Sequence, residues 1–191
     1  MKKPFGAELF ALVSLAFFAM TMLVSPVVAE DEPGLARATF AGGCFWCMEP
    51  PYDRIEGVIE TISGFSGGQV PNPSYEQVMG GRTGHLEVVQ VLYDPARVSY
   101  EELVHVFWRN IDPFQADGQF CDRGPMYRSA IFAHGDEQYR QAQTSLEQVT
   151  GYGLSDQPID TRVNPTRYRY YRWRCGRDQR LEALWGDEAG G

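Results

Sequence analysis

The chain has 191 residues, 43% of them hydrophobic, and a formal net charge of −8. That is enough apolar content for one domain with its own core. Its two lysines, Lys2 and Lys3, both lie at the N-terminus, so nucleic acid and anionic membranes are excluded as expected partners. The one basic cluster, residues 167–180, is interleaved with tyrosines and reads as a tail packed on its own domain.

Residues 1–29 form a separate piece. A basic start, an apolar run over residues 9–24 and small residues before Glu30 give the pattern of a secretory signal cleaved after Ala29. The competing reading is a retained anchor, because residues 9–29 nearly reach the length of a membrane span. Cleavage is preferred, which places the mature chain outside the cytoplasm, in a periplasm. Residues 30–191 read as one domain, expected to be a monomer, with no repeat and no internal linker.

In chain order, a strand is expected over residues 37–41, then a helix over residues 44–55 with Pro50 and Pro51 near its start. A second strand covers residues 58–65 and stops at Gly67-Gly68. Ser74 is positioned to cap a short helix over residues 75–79. The strongest strand runs over residues 85–93, with Glu87, Val89, Val91 and Tyr93 on one face and Leu86, Val88, Gln90 and Leu92 on the other. Both faces are mostly apolar, so this strand is expected at the centre of a sheet. Ser99 and Glu102 form a capping box for a helix reaching about Asn110. A polar loop over residues 114–125 follows, then a strand over residues 127–133, a helix over residues 136–149, a last strand within residues 158–163, and a closing helix over residues 178–185. Alternating elements with hairpin-like spacing over residues 58–93 indicate an α+β layer rather than a doubly wound sheet.

Chemistry concentrates at Gly42-Gly43-Cys44-Phe45-Trp46-Cys47. Cys44 falls where a strand hands over to a helix N-terminus, a position that lowers a thiol's pKa by favouring the thiolate. The alternative, a small buried hydrophobe, is outweighed by the diglycine and by the second thiol at Cys47. Glu87 has two readings. It is either a carboxyl turned into an apolar neighbourhood, where burial raises its pKa and suits it to general acid work, or a strand-end side chain turned to solvent. Cys121 and Cys175 complete four exported cysteines whose spacing resembles working thiols more than a staple framework. His85, His105 and His134 are scattered and show no metal-ligand spacing with the cysteines.

Three stretches, GGCFWC, GHLEVVQV and CDRGPMYRSAIF, together resemble the A-type peptide methionine sulfoxide reductases. The resemblance runs over residues 38–132 and resumes over residues 167–186. It implies a two-layer arrangement of a mixed β-sheet with packed helices, on a ferredoxin-like core. It implies that Cys44 is the nucleophile that attacks the sulfoxide sulfur and that Glu87 protonates the sulfoxide oxygen. Phe45 and Trp46 match the aromatic pair that holds the S-methyl group, and Tyr75, Asp122 and Tyr127 match the polar ring around the oxygen. No bound cofactor is implied. The sulfenic acid left on Cys44 condenses with a second thiol, and thioredoxin or an equivalent dithiol restores the enzyme. Cys175 matches a recycling position, and Cys47 is one helical turn from Cys44, so both remain candidates for the resolving thiol. The family's PAExYHQ-like run is absent before Asn164, and Pro125-Met126 replaces a small residue and Gln. Two rival functions are an exported thioredoxin-like disulfide oxidoreductase and a degenerate reductase scaffold that binds without turnover.

Overall fold

The computed structural model describes residues 34–165 and 168–173. The proposed signal over residues 1–29, the closing helix over residues 178–185 and Cys175 lie outside the described residues. Strand β1 (Ala36–Ala41) leads through a diglycine turn into helix α1 (Phe45–Asp53), and β2 (Val58–Ser66) returns along the sheet. Helix α2 (Tyr75–Met79) is short. It is capped by Ser74, whose side chain accepts from the Gln77 N–H while the Gln77 side chain accepts from the Ser74 N–H. Strand β3 (Leu86–Tyr93) and helix α3 (Tyr100–Arg109) follow, the latter opened by the expected Ser99–Glu102 capping box. After a small hairpin, β4 (Gly118–Gln119) and β5 (Asp122–Arg123), come β6 (Ala130–Phe132), α4 (Asp136–Gly151), β7 (Arg162–Asn164) and β8 (Tyr171–Arg172).

The main sheet has the order β7-β6-β1-β3-β2-β8. All its pairs are antiparallel except β6 with β7, which makes it mixed. The units β1-α1-β2-β3-α3-β6, with β1 and β3 innermost, form the ferredoxin-like core that the resemblance implies. Alternation sets the two faces. Ala38, Phe40, Phe65, Val89 and Val91 meet Met48 and Tyr52 of α1 and Leu103, Val104 and Phe107 of α3. Phe40 is the keystone of that layer, stacked on Tyr52 at 5.2 Å and on Phe107 at 5.5 Å. Burying such rings contributes roughly 1.5–3 kcal/mol each. Helix α4 joins the same layer through Ala142 and through the Trp108 indole, which donates to the Ser145 hydroxyl at 3.0 Å.

The other face carries Ala41, Ile62, Val88, Ala130 and Phe132, packed with Tyr170. The Tyr170 hydroxyl bonds the carbonyls of Ile62 and Ser63 at 2.9 and 3.0 Å, and Arg169 offers its carbonyl to the Ser66 hydroxyl. Within the described part of the tail, Arg169 and Tyr170 thus pack on the domain itself.

Three expectations need correction. The last strand, expected within residues 158–163, is β7 at Arg162–Asn164, and β8 follows it. Pro50 and Pro51 lie inside α1, in its second turn, because the helix already begins at Phe45. The strand expected over residues 127–133 is confined to Ala130–Phe132; Pro125–Tyr127 is a 3₁₀ turn. Pro125 enters it from Gly124, whose φ of +135° breaks any extended run.

Candidate active site

Cys44 is the N-cap residue of α1, half-buried beside the Gly42-Gly43 turn. Gly43 has φ +92°, and a Cβ there would lie 2.7 Å from the Cβ of Gln119. Glycine is required both by conformation and by space. Buried Gln119 donates to the Asp112 carbonyl at 2.9 Å and accepts from the Asp112 N–H at 2.8 Å. This clamp holds the loop after α3 against the nucleophile turn. Gln119 then pairs with Asp122 across the small hairpin, so the same clamp places Asp122 at the site. The hairpin tip is Phe120-Cys121, both exposed.

Glu87 resolves in favour of the buried reading, being 1% exposed. Its Oε2 accepts a 3.1 Å hydrogen bond from the backbone N–H of Phe45, the residue after Cys44. Carboxyl and sulfur therefore share one face of the sheet. Burial pushes the Glu87 pKa up to about 7; the Phe45 N–H opposes this, and the Asp122 charge adds to it. A side chain with this pKa carries a proton near neutrality and can still release it.

The Cys44 thiol contradicts the sequence reading. Its pKa is pushed up to about 11, first by burial, then by the Glu87 charge. The N–H groups of Trp46 and Cys47 at the helix start act in the expected downward direction but do not prevail. Desolvation of a half-buried sulfur beside a carboxylate outweighs the field of the helix N-terminus. The resting site therefore holds a protonated thiol beside an acid that titrates near neutral pH.

Tyr75 opens α2, and Tyr127 ends the 3₁₀ turn. Both hydroxyls are shifted up, by burial first and then by the Glu87 charge, with Cys44 also contributing; Tyr127 reaches about 12 and feels Asp122 as well. The structure thus brings Cys44, Tyr75, Glu87, Asp122 and Tyr127 into one electrostatic neighbourhood. The Tyr127 hydroxyl donates to the Met79 sulfur at 3.5 Å. His85 lies apart from this chemistry. It holds the preceding loop, accepting from the Gly68 N–H at Nδ1 and donating to the Val70 carbonyl from Nε2, and burial lowers its pKa. Among the described residues no group of three or more His, Cys, Asp or Glu side chains is placed to hold a metal ion.

The aromatic pair is asymmetric. Phe45 is buried, whereas Trp46 is 53% exposed, and their rings are 5.5 Å apart. Cys47, in the first turn of α1, carries an exposed free thiol. Sequence reasoning did not assign Trp173. The tail carries this ring to within 5.1 Å of Phe45, 5.6 Å of Trp46 and 5.8 Å of Tyr75. The available signal was the spacing of Trp173, two residues beyond Tyr171 at the end of a short strand, where extended chain returns side chains to one face. Without the pairing of β8 to β2, that face has no address.

Comparison with known proteins agrees with this geometry. Residues 36–174 match the sequence profile of the family described as Peptide methionine sulfoxide reductase. The chain is 46% identical over 192 residues to peptide methionine sulfoxide reductase MsrA 2 of Rhizobium meliloti, which covers 91% of this chain and 93% of that one. It is 39% identical over 209 residues to peptide methionine sulfoxide reductase MsrA/MsrB of Vibrio cholerae, covering 97% of this chain but spanning only 55% of that protein. In structure it resembles methionine sulfoxide reductase A of Corynebacterium diphtheriae, with a TM-score of 0.63, 33% identity, and coverage of 74% of this chain and 70% of that one. The chain belongs to the peptide methionine sulfoxide reductase family, in its A-type branch.

Proposed function

We propose that this chain reduces the S-epimer of methionine sulfoxide, in proteins and free, to methionine. The observation that carries the reading is the hydrogen bond between the Phe45 N–H and Glu87, which locks an acid with a pKa of about 7 beside the thiol of Cys44. A sulfoxide oxygen leaves poorly until protonated, and Glu87 supplies that proton. Protonation makes the sulfoxide sulfur electron-poor as the Cys44 sulfur attacks it. The Cys44 proton passes to the Glu87 carboxylate left by that transfer, so a free thiolate is not needed at rest. Tyr75, Tyr127 and Asp122 surround the oxygen, and Tyr127 exchanges the Met79 sulfur for it. Phe45 and Trp46 hold the methyl group. With methyl, oxygen and nucleophile each in one fixed place, only one sulfoxide epimer fits.

The first half-reaction converts Cys44–SH and sulfoxide into Cys44–SOH and thioether. A second thiol then condenses with the sulfenic acid, releasing water and leaving a disulfide. Cys47, exposed one turn along α1, and Cys175 are the two candidates. A thioredoxin-class dithiol reduces that disulfide by exchange and is itself oxidised. No bound cofactor takes part. The protein acts as a monomer outside the cytoplasm, a reading supported by the signal-like pattern of residues 1–29. The thioredoxin-like rival leaves Glu87 and the β6 region without a role.

The test is turnover on the two epimers of a methionine sulfoxide peptide with a dithiol reductant. Reduction of the S-epimer, lost in Cys44→Ser and strongly slowed in Glu87→Gln, is the expected result. Preference for the other epimer would overturn the reading, as would full activity in Cys44→Ser. Binding without any thiol loss would identify the degenerate scaffold instead.

A further inference from the structure

The indole of Trp173 touches both halves of the site. Stacked on Phe45 and set edge-on to Trp46, it faces the rings assigned to the substrate methyl group. Its third neighbour is Tyr75 of the polar ring. The tail fixes it firmly. Its backbone N–H donates to the Ser63 carbonyl at 2.8 Å, Arg172 pairs with Glu60 at 3.0 Å, and Tyr170 is anchored on the opposite face. A side chain held this way is a wall rather than a passing contact.

Its chemistry argues for more than packing. The indole Nε1 is buried and has no hydrogen-bond partner among the described residues. A purely structural aromatic at this edge avoids that penalty by being phenylalanine. Trp173 instead sets a wide, flat ring against both Trp46 and Tyr75, 5.6 and 5.8 Å away. Phe45, Trp46 and Trp173 pack on one another with centroids 5.1–5.6 Å apart, one apolar aromatic cluster beside Cys44.

We infer that Trp173 is a specificity-determining positioning residue, the second side wall of the S-methyl slot, which limits the group on sulfur to one carbon. This rests on the sulfoxide-reduction reading above. The ring excludes a longer alkyl group by filling the space that its second carbon needs. It also holds the methyl so that the electrophilic sulfur presents one face to Cys44.

The test compares methionine S-sulfoxide with ethionine S-sulfoxide, which differs by one methylene on sulfur. An apolar pocket discriminates one methylene by roughly 10- to 200-fold. In Trp173→Ala the ratio of kcat/KM for the ethyl over the methyl substrate is expected to rise at least about 10-fold. KM for the methyl substrate should rise more than kcat falls. In Trp173→Phe, which keeps an aromatic wall of smaller width, the ratio should rise a few-fold. If the alanine variant does not fold, the phenylalanine variant decides. An unchanged ratio, with both substrates slowed equally, overturns the inference and leaves Trp173 as packing. Failure of the wild type on methionine S-sulfoxide would instead overturn the function itself.

Discussion

The backbone N–H of Phe45 donates to Oε2 of Glu87 across 42 residues of sequence, joining the head of α1 to the centre of β3. This bond registers the nucleophile turn against the sheet and gives the buried carboxyl a backbone hydrogen-bond donor. It also ties catalysis to stability, because the same carboxyl is both a proton source and a desolvated charge.

Glu87→Gln should therefore be slower and sturdier. Losing a positioned general acid lowers kcat by about 10²–10⁴-fold. The folded pKa of about 7 lies above the ordinary value of 4.5. Stability attached to this group is fully present below pH 4.5 and is lost as pH rises through 7. The amide keeps an acceptor for the Phe45 N–H and removes the charge. Denaturant unfolding should show the variant gaining up to about 3 kcal/mol on the wild type at pH 8. At pH 4 that gain should vanish. A gain of equal size at both pH values would rule out the charge as its source.

Cys44 should alkylate slowly in the unliganded enzyme. With its pKa at about 11, labelling by iodoacetamide at pH 7 is limited by the small thiolate fraction. The rate should climb steadily as pH is raised through 10. Because the Glu87 charge helps to hold the pKa up, the Glu87→Gln background should move the labelling profile to lower pH. Mass spectrometry of the Cys44 peptide in a Cys47→Ser, Cys121→Ser background measures this directly. A profile centred below pH 8 would contradict the burial argument.

The resolving thiol separates by kinetics. If Cys175 resolves, Cys175→Ser should reduce one equivalent of sulfoxide at the wild-type rate and then stall with thioredoxin as reductant. Undiminished multiple turnover in Cys175→Ser would pass the role to Cys47.

Gly64→Ala should loosen the tail. A Cβ at Gly64 would lie 2.6 Å from the Tyr170 ring and would also press on the Tyr171 carbonyl. Overpacking of this kind costs typically about 1–3 kcal/mol. Hydrogen exchange of the Trp173 amide should accelerate while amides of β1 and β3 stay protected. Unaltered exchange at Trp173 would mean that β8 absorbs the added methyl.

Most of the scaffold was legible because its signals are local. Ser74 with Gln77 and Ser99 with Glu102 announce their helices within four residues. The alternation around Glu87 assigns faces by a period of two. The motifs point to the neighbourhood of Cys44, Tyr75, Glu87, Asp122 and Tyr127, but not to its electrostatics. Whether the helix start or desolvation governs Cys44 depends on Glu87, Gly43 and the loop behind them, which only the fold brings together. Tyr127 falls outside the strand expected from residue 127 because Gly124 and Pro125 turn the chain into a 3₁₀ turn first. Trp173 acquires its position from pairing with β2, more than a hundred residues earlier in the chain.

The last two strands of the described chain, β7 and β8, occupy the two opposite rims of the main sheet. Until both are in place, β6 and β2 each present an unpaired row of amides and carbonyls, a template for association with other chains. A chain truncated after about residue 160 would thus keep Cys44 and Glu87, yet carry two sticky margins. Premature termination late in synthesis should produce aggregates rather than a weakened soluble enzyme.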